Sequence, residues 1–172
     1  MIVTQDATRA ERLRRLRTHG GAKQYHHEEI GTNSRLDTLQ AAVLLAKVPH
    51  LAAWSAGRRA RAARYDEAFA GLDGIRSPFV DPANEHIYHQ YTLRAQRRDA
   101  LKAHLSQRGV GCAVYYPVPL HLQPCFRDLS YRQGQLPQAE CAAREVLSLP
   151  VYPELTDALQ DEVVDAVRSF YR

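Results

Sequence analysis

The sequence predicts an α/β chain in which long helices precede a smaller α+β region. Apolar residues recur at helical spacing through Leu36, Leu39, Val43, Leu51, Trp54, Tyr65, Phe69 and Leu72. After the polar stretch "SPFVDPANEH" the texture changes, and "IYHQYTLRA" alternates with the Tyr, Ile, Thr and Leu content of a strand. Beyond it, helix-like and strand-like segments follow one another to the end of the chain.

Taken in order, "IVT" at residues 2–4 reads as the end of a strand. "DATRAERLRRLRTHGG" offers Asp6 or Thr8 as N-cap and Gly20 and Gly21 as a stop, which makes a helix of about three turns. Ser34 and Asp37 have the spacing of a capping box for the helix that begins near Leu36. Pro49 interrupts that helix and can sit in the first turn of a second one, which ends near "GLDGI". "RRDALKAHLSQRG" is an amphipathic helix stopped by Gly109, and "VGCAVYY" is a strand ended by Pro117 and Pro119. "PQAECAAREVLSL" opens on Pro137 as a helix, and "TDALQDEVVDAVRSFY" is a last helix capped by Thr156. A domain boundary is expected between residues 74 and 85.

The 172 residues, 45% apolar and 24% charged, fit one ordinary domain or part of a larger protein. No run approaches the roughly 20 apolar residues that span a bilayer, and the apolar start is shorter than a signal peptide needs, so a cytoplasmic location is expected. The net charge of +4 comes from arginines interleaved with 19 acids. On "RAERLRRLR" and "GRRARAARYDEAF" these charges read as solvated helix faces, and no nucleic-acid or membrane partner is expected. Cys112, Cys125 and Cys141 match no zinc or disulfide pattern and read as reduced thiols. The neighbouring His26, His27, Glu28 and Glu29 do not have helix-pair ligand spacing, so no metal is expected.

Two segments carry candidate chemistry. In "GTNSR", Asn33 offers an amide and Arg35 a guanidinium fork beside a helix start, where free N–H groups favour an anion. The competing reading makes Asn33 an N-cap and Arg35 a solvated first-turn residue. In "VYYPVPLHLQP", prolines stiffen a loop that carries Tyr115, Tyr116, His121 and Gln123, as a ligand-contacting loop requires; a turn packed on the domain edge is the alternative. The lysines, Lys23, Lys47 and Lys102, have no apolar surroundings that would suit imine chemistry, and no P-loop, nucleophile elbow or GxGxxG is present.

Six blocks in order, "MIVTQDATRAERLRRLRTHG", "IGTNSRLDTLQAAVLLAKVPHL", "RRARAARYDEAF", "HQYTLRAQRRDALKAHLSQRGVG", "YYPVPLHLQPCF" and "LPQAECAAREVLSLPVYPELT", resemble the C-terminal half of the DegT/DnrJ/StrS-type sugar aminotransferases. The resemblance implies a partial type I pyridoxal-phosphate transferase fold. Residues 1–74 would end the large cofactor domain with its dimer-facing loop, and residues 75–172 would form the small domain. It implies a homodimeric complete enzyme that moves an amino group, from glutamate, onto a keto-sugar nucleotide in the making of polysaccharide or antibiotic sugars. By that resemblance Asn33 reaches the pyridoxal phosphate of a neighbouring subunit, while Arg35, Tyr116 and His121 contact the nucleotide-sugar. Tyr115 departs from the family's usual His-Tyr-Pro. The family's imine lysine, in a Ser-x₄-Lys-like segment, and the aspartate that pairs with the pyridine nitrogen have no counterpart here. No catalytic residue is therefore assigned, Met1 reads as an internal methionine of a longer frame, and the chain alone is expected to be inactive. The alternative is a non-catalytic truncated module that pairs with another aminotransferase subunit.

Overall fold

A computed structural model describes residues 2–172, so the reading of Met1 lies outside the described residues. The chain divides into two compact units, residues 1–49 and 50–172.

The first unit holds α1 (Ala7–Leu16) and α2 (Thr38–Lys47). Asp6 caps α1 by accepting from the Arg9 N–H at 3.0 Å, one of the two expected caps. "IVT" forms no strand: residues 2–4 are irregular and exposed, because no neighbouring strand is present to pair with them. The capping box of α2 is also displaced from its expected place. Asp37, not Ser34, is the N-cap, and the Gln40 side chain accepts from the Asp37 N–H at 3.0 Å. Of residues 2–49 only Gly20 is buried, so this unit has no apolar core.

The second unit begins with α3 (Leu51–Phe69), preceded by a 3₁₀ turn at Val48–His50 that holds Pro49. Its sheet is antiparallel in the order β1 (Ile75–Arg76), β2 (Tyr91–Ala95), β3 (Val146–Leu149). Helices α4 (Arg98–Gln107), α5 (Pro137–Glu145) and α6 (Asp157–Tyr171) complete it. Tyr91, Leu93 and Ala95 alternate inward along β2, and α6 starts at the expected cap, Thr156, which accepts from the Leu159 N–H at 3.3 Å. The expected α/β class is thus observed as a small antiparallel sheet with helices.

Three expectations for this unit fail. Residues 87–90 lie outside β2, which pairs only over the stretch opposite β3. "VGCAVYY" keeps a single bridge, with the Ala113 N–H donating to Ser148 at 3.1 Å, and the run then enters a loop whose Pro117 and Pro119 have no N–H to give. The helix over residues 137–149 stops at Glu145, and β3 takes the rest, with Tyr91 opposite Leu149 and Leu93 opposite Leu147. Leu147, Ser148 and Leu149 are all buried, so β3 is covered on both faces and lacks the alternation that would have marked it. The Ser148 hydroxyl is satisfied by Thr92 at 2.8 Å.

The core gathers Tyr65 and Phe69 of α3, Tyr91 and Leu93, Leu101 and Leu105 of α4, Leu147, and Val163, Val164 and Val167 of α6. Its tyrosines keep their hydroxyls bonded: Tyr65 donates to the Pro150 carbonyl at 2.9 Å and Tyr91 to Asp66 at 2.7 Å. Burial pushes both phenols above the ordinary tyrosine value, so they stay neutral donors.

Replacing Leu147 by Ala leaves a cavity between the sheet and the helices and is expected to cost about 2 to 5 kcal/mol, read as a lower urea midpoint by far-UV circular dichroism.

Candidate functional site: a strapped loop and a pinned loop

The end of α1 leaves carbonyl groups without helical partners, and the segment after Ile30 supplies donors for them. The Thr32 N–H donates to Leu16 at 2.8 Å and the Ser34 N–H to Arg17 at 2.9 Å, while the His19 N–H returns to Thr32 at 3.0 Å. Asn33 lies inside this strap, bridged to Thr18. It is not the N-cap of α2, a place that Asp37 takes; its backbone runs along the carbonyl end of α1. The backbone crossing that allows this needs glycine. A Cβ on Gly31 would lie 2.2 Å from the Gly20 nitrogen, and one on Gly20, at φ +83°, would lie 1.6 Å from the Glu29 carbonyl oxygen.

Arg35 is exposed, and its Nε donates to Asp37 Oδ1 at 2.8 Å. The acid that caps α2 therefore also orients the guanidinium. The Asn33 side chain is exposed, as an amide that meets an outside group must be.

In the second unit Val114 packs against the core, and the chain then turns outward. Tyr116 is 71% exposed, with the Tyr115 ring edge-on at 5.6 Å. An open hollow of about 500 Å³ lies beside Tyr115, lined also by His89, Gly111, Cys112, Ser148 and Val151. Burial pushes the Cys112 thiol up, which keeps it protonated and unreactive.

His121 does not share the exposure of Tyr116. Its ring is buried, with Nε2 at 3.1 Å from Glu140 Oε1 and the Tyr131 ring edge-on at 6.1 Å. Glu140 also accepts from the Gly134 N–H at 2.8 Å. Burial alone would raise the Glu140 carboxyl, but the Gly134 N–H and the His121 imidazole outweigh it and hold the group below the usual glutamate value. Sequence reading missed Glu140. Its one signal was an acid three positions before Ala143, on the buried stripe of α5.

Lys23, Lys47 and Lys102 are all exposed, and no group of three or more metal-ligating side chains is placed to hold an ion among the described residues. Among those residues no helix is long and apolar enough to cross a membrane.

A family model described as the DegT/DnrJ/EryC1/StrS aminotransferase family matches residues 1–168. The "Pleiotropic regulatory protein" of Geobacillus stearothermophilus is 48% identical, over 100% of this chain and 47% of its own length. The "dTDP-3-amino-3,4,6-trideoxy-alpha-D-glucose transaminase" of Streptomyces venezuelae is 46% identical, over 98% of this chain and 45% of its own. Among solved structures, S. venezuelae DesV in complex with a ketimine intermediate superposes with a TM-score of 0.92 and 46% identity, over 99% of this chain and 46% of that one. The chain spans about half the length of the curated relatives it matches.

Two outcomes are expected. Gly31→Ala should break the strap, read as faster amide exchange at Thr32 and Ser34 with the amides of α6 unchanged. Because the folded-state pKa of Glu140 lies below its unfolded value, its contribution is complete above about pH 4.3, the ordinary glutamate value, and is lost as pH falls through the folded value. The urea midpoint of the native chain should therefore exceed that of Glu140→Gln at neutral pH and converge with it in acid. A gap that stays constant with pH would contradict this.

Proposed function

We infer the function from the premise that this chain belongs to the DegT/DnrJ/EryC1/StrS aminotransferase family. It is the C-terminal part of a pyridoxal-phosphate-dependent enzyme that transfers an amino group, from glutamate, to a keto-sugar nucleotide. The observation that carries this is the family match over residues 1–168, and the transaminase name of a relative 46% identical supports the substrate class. In the complete homodimer, residues 1–74 end the large domain and residues 75–172, from the first strand of the sheet onward, make the small one.

Pyridoxal phosphate, when bound, supplies the electron sink for moving the amino group. The residues present fit one edge of it. The exposed Asn33 carboxamide, on a backbone held by its bridge to Thr18, suits a phosphate oxygen of a neighbouring subunit's cofactor. The exposed lysines do not fit the imine end, which calls for a desolvated amine. Arg35, held by Asp37, presents a fork to the nucleotide-sugar, Tyr116 presents a phenol at the surface, and His121 contributes from a buried position. No catalytic role falls to this chain alone.

A second reading makes the chain a non-catalytic module that pairs with another aminotransferase subunit. It is favoured by α2, which buries none of its residues and exposes Leu39, Val43, Leu44 and Leu45. A soluble monomer in native mass measurement would count against it.

The two-part experiment uses the chain alone and then with the N-terminal half of the S. venezuelae relative. Alone, with pyridoxal phosphate and borohydride, no single lysine should be trapped; one that is trapped overturns the inactivity. Co-expressed with that half, the chain should give a glutamate-dependent amino-sugar nucleotide, reduced at least about tenfold by Asn33→Ala, on the scale of one charge-assisted hydrogen bond. A complex that assembles and binds cofactor but makes no such product argues against the reading.

A further inference from the structure

Residues 117–136 join the bridge at Ala113 to α5 without an α-helix or strand. They contain only 3₁₀ turns at Leu120–Leu122 and Pro124–Leu129, and they expose Leu120, Leu129 and Tyr131 to solvent. Of these residues His121 alone is buried. A segment with one buried side chain is held by what that side chain binds.

His121 binds Glu140. Its Nε2 and the Gly134 N–H converge on the same oxygen, Oε1, from two ends of the segment. The His121 and Glu140 side chains are only 5% and 7% exposed, so water competes little for either bond. An ionised carboxylate only accepts, so the imidazole nitrogen that meets it must carry the hydrogen. In the neutral ring the other nitrogen, Nδ1, is then a lone-pair acceptor.

We propose that Glu140 is a positioning residue: it pins residues 117–136 through His121 and Gly134 and fixes His121 as the Nε2–H tautomer. The ring's other nitrogen is consequently an acceptor for a ligand that reaches it. It selects a hydroxyl or N–H donor, such as a sugar hydroxyl, and disfavours phosphate or carboxylate oxygen at that position. The identity of that ligand rests on the proposed function, whereas the pin and the tautomer rest on the geometry alone. The low position of the Glu140 carboxyl accords with an ionised acceptor.

The test reads the His121 tautomer from imidazole nitrogen shifts in the native chain at about pH 8.5, well above the ordinary histidine value. It also follows amide exchange over residues 117–136 in the native chain, Glu140→Gln and Glu140→Ala. The native ring should be Nε2–H. Glu140→Ala should mix the tautomers and speed exchange in the segment about tenfold, with Leu93 and Leu147 of the sheet unchanged. Glu140→Gln keeps an oxygen acceptor and should restore exchange to within about threefold of native. An Nδ1–H native ring overturns the proposal. So does a segment whose exchange ignores Glu140→Ala, or one that accelerates only together with the sheet. If Glu140→Ala fails to fold, the native tautomer and the Glu140→Gln exchange decide. Neither cofactor nor substrate enters the test, so its failure is separate from failure of the aminotransferase reading.

Discussion

The pairing of β2 with β3 is the constraint on which the second unit depends. Four residue pairs, from Tyr91 with Leu149 to Arg94 with Val146, fix the register of strands that are distant in sequence. One step of slip would turn Tyr91 and Leu93 out of the core. The same register presents Ser148 to Ala113 and so sets where the chain leaves the sheet for the Tyr116 loop. Helix α5 runs directly into β3, so the ladder also fixes the helix that carries Glu140.

The candidate groups are held by different physics in the two units. Asn33 is placed by backbone hydrogen bonds to the last carbonyls of α1 and by two glycines whose backbones cross. Tyr116 and His121 lie on a loop anchored at one end by the sheet and in its middle by a buried carboxylate. The exposed side chains, Asn33, Arg35 and Tyr116, are the ones free to meet outside groups, while His121 is committed on one nitrogen to Glu140.

Much of this was legible because local signals decide it. Caps at Asp6 and Thr156 and the periodicity of α4 and α6 mark those helices, and the alternation of Tyr91, Leu93 and Ala95 marks a strand. The short β1 and β3 were not legible. "VLSL" is buried on both faces and continues a helical segment, so nothing in its own pattern distinguishes strand from helix. Spacing showed Asn33 only beside the start of α2, because the strap that ties its backbone to the end of α1 is a long-range contact. Glu140 is an acid in the first turn of α5, and its partner lies 19 residues away. The roles offered for Asn33, Arg35, Tyr116 and His121 came from the resemblance of whole blocks, which carries information that no local spacing holds.

The strap of the first unit has a thermal consequence. Hydrogen bonds and crossing glycines hold it, and no apolar side chain of residues 2–49 is fully buried. The heat-capacity change that bends a stability curve into a dome comes from apolar hydration. Opening the strap should therefore carry little of it. Its closure weakens steadily with temperature, with no optimum near room temperature and no weakening in the cold, unlike the apolar core around Leu147.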